Sequence, residues 1–297
     1  MKNQILEKLK KLNLEEKQDL FYDWNLLEND SIQIEDEILK VDKVEILKTL
    51  IELGVNVNVK DKTGDTLLHT QDNKEIAELL IQSGADVNLK NQYGDTPLFY
   101  AKSKEIAELL IQAGADVNAR DRCGDTPLFS VEFKEVAELM IQAGADVNAK
   151  NNFGKTPLFY AKSKEIAELL IQSGADVNTK NKYGETPLFY AKSKEIAEIL
   201  IQHGADVNAK NNFAATPLFY AKSKEIAELL IQNGLDVDIK NDDNQTPADF
   251  NRENGEEDIA LFFEQKVFEK ATELEQEKLN QSLPQSNKNS NNPQYRL

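Results

Sequence analysis

The chain repeats itself every 30 residues. The run Thr96-Pro97-Leu98-Phe99-Tyr100-Ala101-Lys102-Ser103-Lys104-Glu105-Ile106-Ala107-Glu108-Leu109-Leu110-Ile111-Gln112 returns with little change from Thr156, Thr186 and Thr216. A looser copy starts at Thr126 and a degenerate one at Thr66. A fixed period in this range means a repeat array. A unit this short cannot bury its own apolar face, so each copy must stack on its neighbours. The expected molecule is a long, thin solenoid, and such an extended surface suits the gripping of macromolecules better than the enclosure of a small substrate.

A stack grows its core in one dimension and so escapes the size limit that 297 residues would place on one globular core. An apolar content of 40% is enough to fill that core, and 29% charged residues keep it soluble. The net charge of −17 argues against direct binding of nucleic acid, which needs clustered Lys and Arg. It argues equally against an anionic membrane surface. It is compatible with a basic patch on a partner, or with a charge that only maintains solubility. Cys123 is the single cysteine, so no intrachain disulfide can form. The start, from Met1 to Lys10, has no apolar core of a signal peptide, and no apolar run approaches bilayer length. These features lead us to expect a monomer in the cytoplasm, or one exported by a route without an N-terminal signal.

Residues 91 to 120 show how a unit is built. Asn91-Gln92-Tyr93-Gly94-Asp95 is turn chemistry, because Asn and Gly tolerate positive φ. Thr96 is placed to N-cap a short helix from Leu98 to about Lys102, with Pro97 at its first position. Ser103 is placed to cap a second helix, and Glu105 in its first turn suits the helix dipole. Ile106, Leu109, Leu110 and Ile111 follow helical spacing and form the buried stripe. Gly114 ends that helix as a left-handed C-cap residue.

This unit resembles the ankyrin repeat in Gly94, in Thr96-Pro97-Leu98, in Ala101, in the Ile106–Ile111 helix and in Gly114-Ala115-Asp116-Val117-Asn118. The resemblance covers roughly residues 31 to 265. It implies an all-α solenoid of antiparallel helix pairs with protruding hairpin-like fingers, and a role in protein–protein recognition. Two departures stand out. The period is 30 residues where the family has about 33, and the missing three lie between Ala101 and Ile106, so the first helix should be clipped. The last copy, from Thr246 and Pro247 through Gly255 to Ile259, keeps the longer spacing. Second, Phe99, Phe129, Phe159, Phe189 and Phe219 stand where the family has His, which only His69 retains. With Tyr100 and its equivalents they form an expected aromatic ladder inside the stack. The resemblance also implies that the Asn of this last segment can be hydroxylated when a Leu lies eight residues earlier. Asn88 with Leu80 and Asn118 with Leu110 fit that pattern, although hydrogen bonding within the finger is the default role.

Along the chain, residues 1–30 read as an N-terminal helical cap. Asn13 and Glu16 form its capping box, and Leu20, Phe21, Trp24 and Leu27 form its apolar stripe. A degenerate first repeat at 31–60 follows, then six full repeats over 61–240 and a capping repeat at 241–265. A helical extension spans 266–281, and a disordered tail, rich in Asn, Ser, Gln and Pro, spans 282–297. Eight units at about 10 Å each give a core on the order of 80 Å long. Ala214 stands where the sister copies carry Gly94, Gly124, Gly154 and Gly184, and so should strain its turn.

Nothing in the sequence makes a case for catalysis. His69 and His203 are too many repeats apart to share a metal or a proton, and Cys123 has no sequence partner to lower its pKa. No calcium loop, phosphate-binding loop or nucleophile elbow is present. No cofactor or metal is expected.

Binding should reside where near-identical copies differ. The finger residue before the turn glycine reads Thr63, Tyr93, Cys123, Phe153, Tyr183, Phe213 and Asp243. Tyr93, Cys123, Phe153, Tyr183 and Phe213 are the candidate protein-binding residues, since aromatic side chains on rigid loops anchor partners well. The neutral reading packs each ring on the adjacent finger. A lysine ladder, Lys102, Lys104, Lys134, Lys162, Lys164, Lys192, Lys194, Lys222 and Lys224, lies near Glu105 and Glu108 and reads as a self-neutralised face. In the tail, Asn292, Pro293 and Tyr295 look like the Asn-Pro-x-Tyr turn read by phosphotyrosine-binding-type domains and endocytic adaptors. The expected function is a non-enzymatic scaffold that binds partner proteins through the fingers and the adjoining concave face. The alternatives are a passive or elastic spacer and a targeting subunit for a separate enzyme.

Overall fold

The computed structural model of the protein describes residue 7, residues 9–22 and residues 43–282. Trp24 and Leu27 of the apolar stripe, the start of the degenerate repeat at 31–42, the tail at 283–297 and its motif Asn292, Pro293 and Tyr295 lie outside these residues.

Among the described residues every regular element is a helix. Each full repeat pairs a single short turn with a nine-residue α-helix. The pairs are Leu67–His69 with Lys74–Gln82, Pro97–Tyr100 with Lys104–Gln112, and Pro127–Ser130 with Lys134–Gln142. They continue as Pro157–Tyr160 with Lys164–Gln172, Pro187–Tyr190 with Lys194–Gln202, and Pro217–Tyr220 with Lys224–Gln232. Short turns pack on short turns and long helices on long helices, so the array is two parallel rows.

The long helix forms for local reasons. Ser103 Oγ accepts the Ile106 N–H at 3.3 Å, and Ser163, Ser193 and Ser223 cap their helices in the same way. Gly114 closes the helix at φ 91°, a left-handed conformation that only glycine adopts freely. One buried column runs the length of the row through Leu80, Leu110, Met140, Leu170, Leu200 and Leu230. Beside it Ala77, Ala107, Ala137, Ala167, Ala197 and Ala227 are fully shielded, and their small size lets neighbouring helices approach closely.

The first helix of each repeat is shorter than its sequence implies. In residues 91–120, instead of running to about Lys102, it is a 3-10 turn ending at Tyr100, with Ala101 already extended (φ −64°, ψ 109°). The others are 3-10 turns as well, except Pro127–Ser130, a single α-turn. The three missing residues force this exit, because Ser103 must also be extended to cap the next helix. Where the longer spacing survives, the element is a seven-residue α-helix, Pro247–Glu253.

The threonine caps also differ from expectation. Thr96 sits at the N-cap position, but its buried hydroxyl has no partner, and the same holds for Thr126, Thr156, Thr186 and Thr216. Thr66 shows what is missing. His69 Nδ1 accepts from the Thr66 N–H at 3.0 Å and lies 2.9 Å from its hydroxyl, while Nε2 reaches the Asp95 carbonyl at 3.2 Å. A backbone N–H can only donate, so Nδ1 must be bare and the proton sits on Nε2. Burial holds the His69 pKa below the usual histidine value. Below about pH 6.5 the unfolded chain therefore takes up a proton that the folded repeat refuses. This part of the stability is complete above that pH and is lost as the pH falls. Denaturant midpoints should show a downward slope on acidification that His69→Phe removes.

Polar bonds tie each repeat to the next. Asn118 Nδ2 donates to the Gly144 carbonyl at 2.9 Å, and Asn118 Oδ1 accepts the Asp146 N–H at 2.9 Å. Asn58, Asn88, Asn148 and Asn178 do the same. These asparagines thus bond between repeats, not within a finger as the sequence reading has it. Ala214 adopts φ 56°. An L-residue pays about 1 kcal/mol for that conformation, so Ala214→Gly should raise stability by about that much in a thermal or denaturant melt.

At the N-terminal end, Asn13 and Glu16 exchange backbone-to-side-chain bonds of 2.8 and 2.9 Å and open the helix Leu14–Tyr22. Phe21 is buried, and Gln18 holds both backbone groups of Asn56. At the other end the helix Glu257–Ser282 buries its own Ile259, Ala260 and Phe263 against the stack. Lys270 ties that helix to Asp236 and Asp238, and residues 271–281 are exposed.

Candidate protein-binding surface

The fingers are built by a buried asparagine. Asn151 Oδ1 accepts the N–H of Phe153 at 2.9 Å and of Lys155 at 3.0 Å, curling the chain into a turn. Asn91, Asn181 and Asn211 make the equivalent pair of bonds. The carbonyl of the tip residue is fixed as well. Tyr93 O accepts from Arg122 N, Phe153 O from Lys182 N and Tyr183 O from Asn212 N, each at 2.9 Å, and Phe213 O accepts from Asp242 N at 3.0 Å. Both backbone groups of each tip aromatic are therefore held while its ring is left free.

The rings point outward. Tyr93, Phe153, Tyr183 and Phe213 are 45–55% exposed. The ring pairs among the described residues lie elsewhere, on the short-turn row or in the C-terminal cap. Cys123 is exposed too, and the negative charge of Asp121 beside it pushes its thiol pKa up, the reverse of what a nucleophile needs. The fingers at 150–155, 180–185 and 210–215 carry Lys150, Lys155, Lys180, Lys182 and Lys210 against the single acid Glu185. In a chain of net charge −17 this is a local reversal of sign.

Beneath the tips lies the aromatic ladder, which is only half interior. Phe129, Phe159, Phe189 and Phe219 are buried. Each ring meets the tyrosine or phenylalanine of the following repeat, Phe129 with Tyr160 at 5.7 Å and Phe159 with Tyr190 at 5.6 Å. The tyrosine hydroxyls stay polar. Tyr100 donates to Asp95 at 2.6 Å and Tyr190 donates to Glu185. Burial is the main cause that pushes both phenol pKa values up. Lys155 lies 3.9 Å from the centre of the Tyr190 ring, between Asp125 and Glu185, and burial pushes its ammonium pKa down.

The lysine ladder is partly self-paired, through Lys134–Glu138, Lys162–Glu132 and Lys194–Glu198 at 3.3–3.6 Å. Such exposed pairs are worth about 0–1 kcal/mol each. A cleft of about 220 Å³ opens where the longer helix Pro247–Glu253 meets the clipped turn before it. It is smaller than the roughly 300–1,000 Å³ of ordinary ligand sites. Among the described residues no cluster of metal-ligating side chains forms, and no helix is long and apolar enough to cross a membrane.

One surface residue was missed in the sequence. Phe133 takes the place of the capping serine, its helix has no side-chain cap, and its ring is 46% exposed. The same copy-against-copy contrast that marks the finger tips would have found it at positions 130 to 133.

A family model described as ankyrin repeats (3 copies) matches residues 38–121 and 128–211. No curated protein matches the chain at a significant level. The matched segments cover more than half of the sequence and coincide with the paired helices and fingers described above. The chain belongs to the ankyrin-repeat family.

Proposed function

We propose that the protein is a non-enzymatic scaffold that binds partner proteins through its finger tips and the adjoining short-turn face. Ankyrin repeats in general mediate protein–protein interaction. The observation that carries the reading here is the row of half-exposed rings at Tyr93, Phe153, Tyr183 and Phe213, each on a backbone locked at both ends. A surface fixed before contact avoids much of the ordering cost of association. The basic fingers between residues 150 and 215 favour an acidic face on the partner.

The test is to replace Tyr93, Phe153, Tyr183 and Phe213 together by serine and to compare captured partners and thermal stability with the wild type. Partner capture should fall by at least about tenfold, with the fold intact because the rings bury little. Unchanged capture would move the binding surface elsewhere or favour a spacer, a reading that the near-identity of the copies supports.

A further inference from the structure

The third full repeat breaks the aromatic ladder. At the position of Tyr100, Tyr160, Tyr190 and Tyr220 it carries Ser130, whose hydroxyl turns back to the carbonyls of Phe99 and Pro127 at 3.0 and 2.9 Å. Phe99 thereby loses the cover that every later phenylalanine of the ladder has. Phe129, Phe159, Phe189 and Phe219 are buried, while Phe99 is only partly so. Tyr100 is more open than its sisters, and Ala101 is partly open where Ala161, Ala191 and Ala221 are buried. The place that a ring takes in the sister repeats is thus left as a notch over Phe99. Three residues on, Phe133 exposes a second ring at the cost of a helix cap. Local rules broken without a gain in burial mark a functional or strained position.

The sister repeats show what fits the notch, because in each of them a tyrosine or phenylalanine ring fills it. Lys102 and Lys104 follow Tyr100 and Ala101 in the chain, and neither has an ion pair among the described residues; the same holds for Lys164, Lys192, Lys222 and Lys224, while Lys134, Lys162 and Lys194 are paired. We infer that the notch at Ser130 docks one aromatic side chain carried on an acidic segment of the partner protein. The inference rests on the scaffold reading above and adds to it a function for the odd repeat. A partner sliding along near-identical copies would find many equivalent registers, and the one place that accepts a ring selects among them.

The probe is a capped peptide with a single tyrosine between aspartates, titrated into the ¹⁵N-labelled full chain. Saturable amide shifts should appear at Phe99, Ser130 and Phe133. Ser130→Tyr, which fills the notch from within, should raise the melting temperature and weaken the peptide at least about tenfold. Alanine in place of the peptide tyrosine should weaken it as much. Replacing both Lys102 and Lys104 by glutamine should weaken it in low salt only. The proposal is overturned by an affinity that Ser130→Tyr leaves unchanged, or by no shifts at millimolar peptide. A fall in melting temperature for Ser130→Tyr would overturn it too, since the gap would then not accept a ring. So would tighter peptide binding once residues 283–297 are removed, which would assign the notch to the chain's own tail. The fourfold serine variant keeps the notch, so its peptide affinity separates failure of this inference from failure of the finger-tip reading.

Discussion

Replacing Thr96, Thr126, Thr156, Thr186 and Thr216 together by valine should raise the stability of the array by about 5 kcal/mol. Each hydroxyl is buried without a hydrogen-bond partner. An orphaned buried polar group costs about 1–3 kcal/mol, and a methyl of the same shape removes that cost. We take about 1 kcal/mol per site, since valine matches threonine in volume and in its extended backbone (φ near −100°, ψ near 165–171°). Sites one repeat apart, about 10 Å, are far enough to add. Thr66 must respond in the opposite direction, because its hydroxyl pairs with His69. Denaturant midpoints of the fivefold variant and of Thr66→Val check both signs, and a fivefold variant no more stable than the wild type refutes the orphan assignment.

The largest single loss is expected at a finger. Asn181→Ala should cost about 3 kcal/mol. The side chain is buried, accepts the N–H groups of Tyr183 and Glu185 at 2.8 and 3.0 Å, and donates to the Glu185 carboxylate at 2.8 Å. Its removal strands two donors and loosens a buried acid that also accepts from the Tyr190 hydroxyl and lies near Lys155. The control is Asn152→Ala, whose exposed amide makes one bond, to the Arg122 carbonyl at 3.1 Å. It should cost less than about 1 kcal/mol. Equal losses for the two variants in chemical denaturation would contradict the role given to the buried asparagine. Because Tyr183 hangs on that turn, Asn181→Ala should also weaken partner capture.

What the sequence disclosed and what it withheld divide by distance along the chain. The serine caps, the glycine C-caps and the Asn13–Glu16 box involve residues within four positions of each other, so propensity alone reveals them, and the positive φ at Ala214 is legible because the sister copies carry glycine there. The positions Tyr93, Phe153, Tyr183 and Phe213 stand out in the sequence because copies that are otherwise alike differ there, but whether the rings face solvent or the adjacent finger is settled by the stacked geometry. The asparagine bonds between repeats join residues 26 and 28 apart, and only the stacked geometry brings them together. The orphaned threonines were hidden for a related reason. His69 satisfies Thr66 and also reaches the next repeat, so replacing His by Phe removes a partner that propensity does not count. The shortened first helix was legible as a deletion, but its 3-10 form follows from the need to leave the helix in time for Ser103.

The buried columns, the asparagine bonds and the row of finger tips all depend on repeats stacked in a line, each covering the apolar face of the one before. Small-angle X-ray scattering on the full chain tests that arrangement most directly. A rod of about 80 Å built from helices packed about 10 Å apart has a radius of gyration of about 25 Å, and its distance distribution trails to long separations. A symmetric distribution with a radius near 19 Å, the value for a compact domain of this length, roughly 2.2·N^0.38 Å, would contradict it.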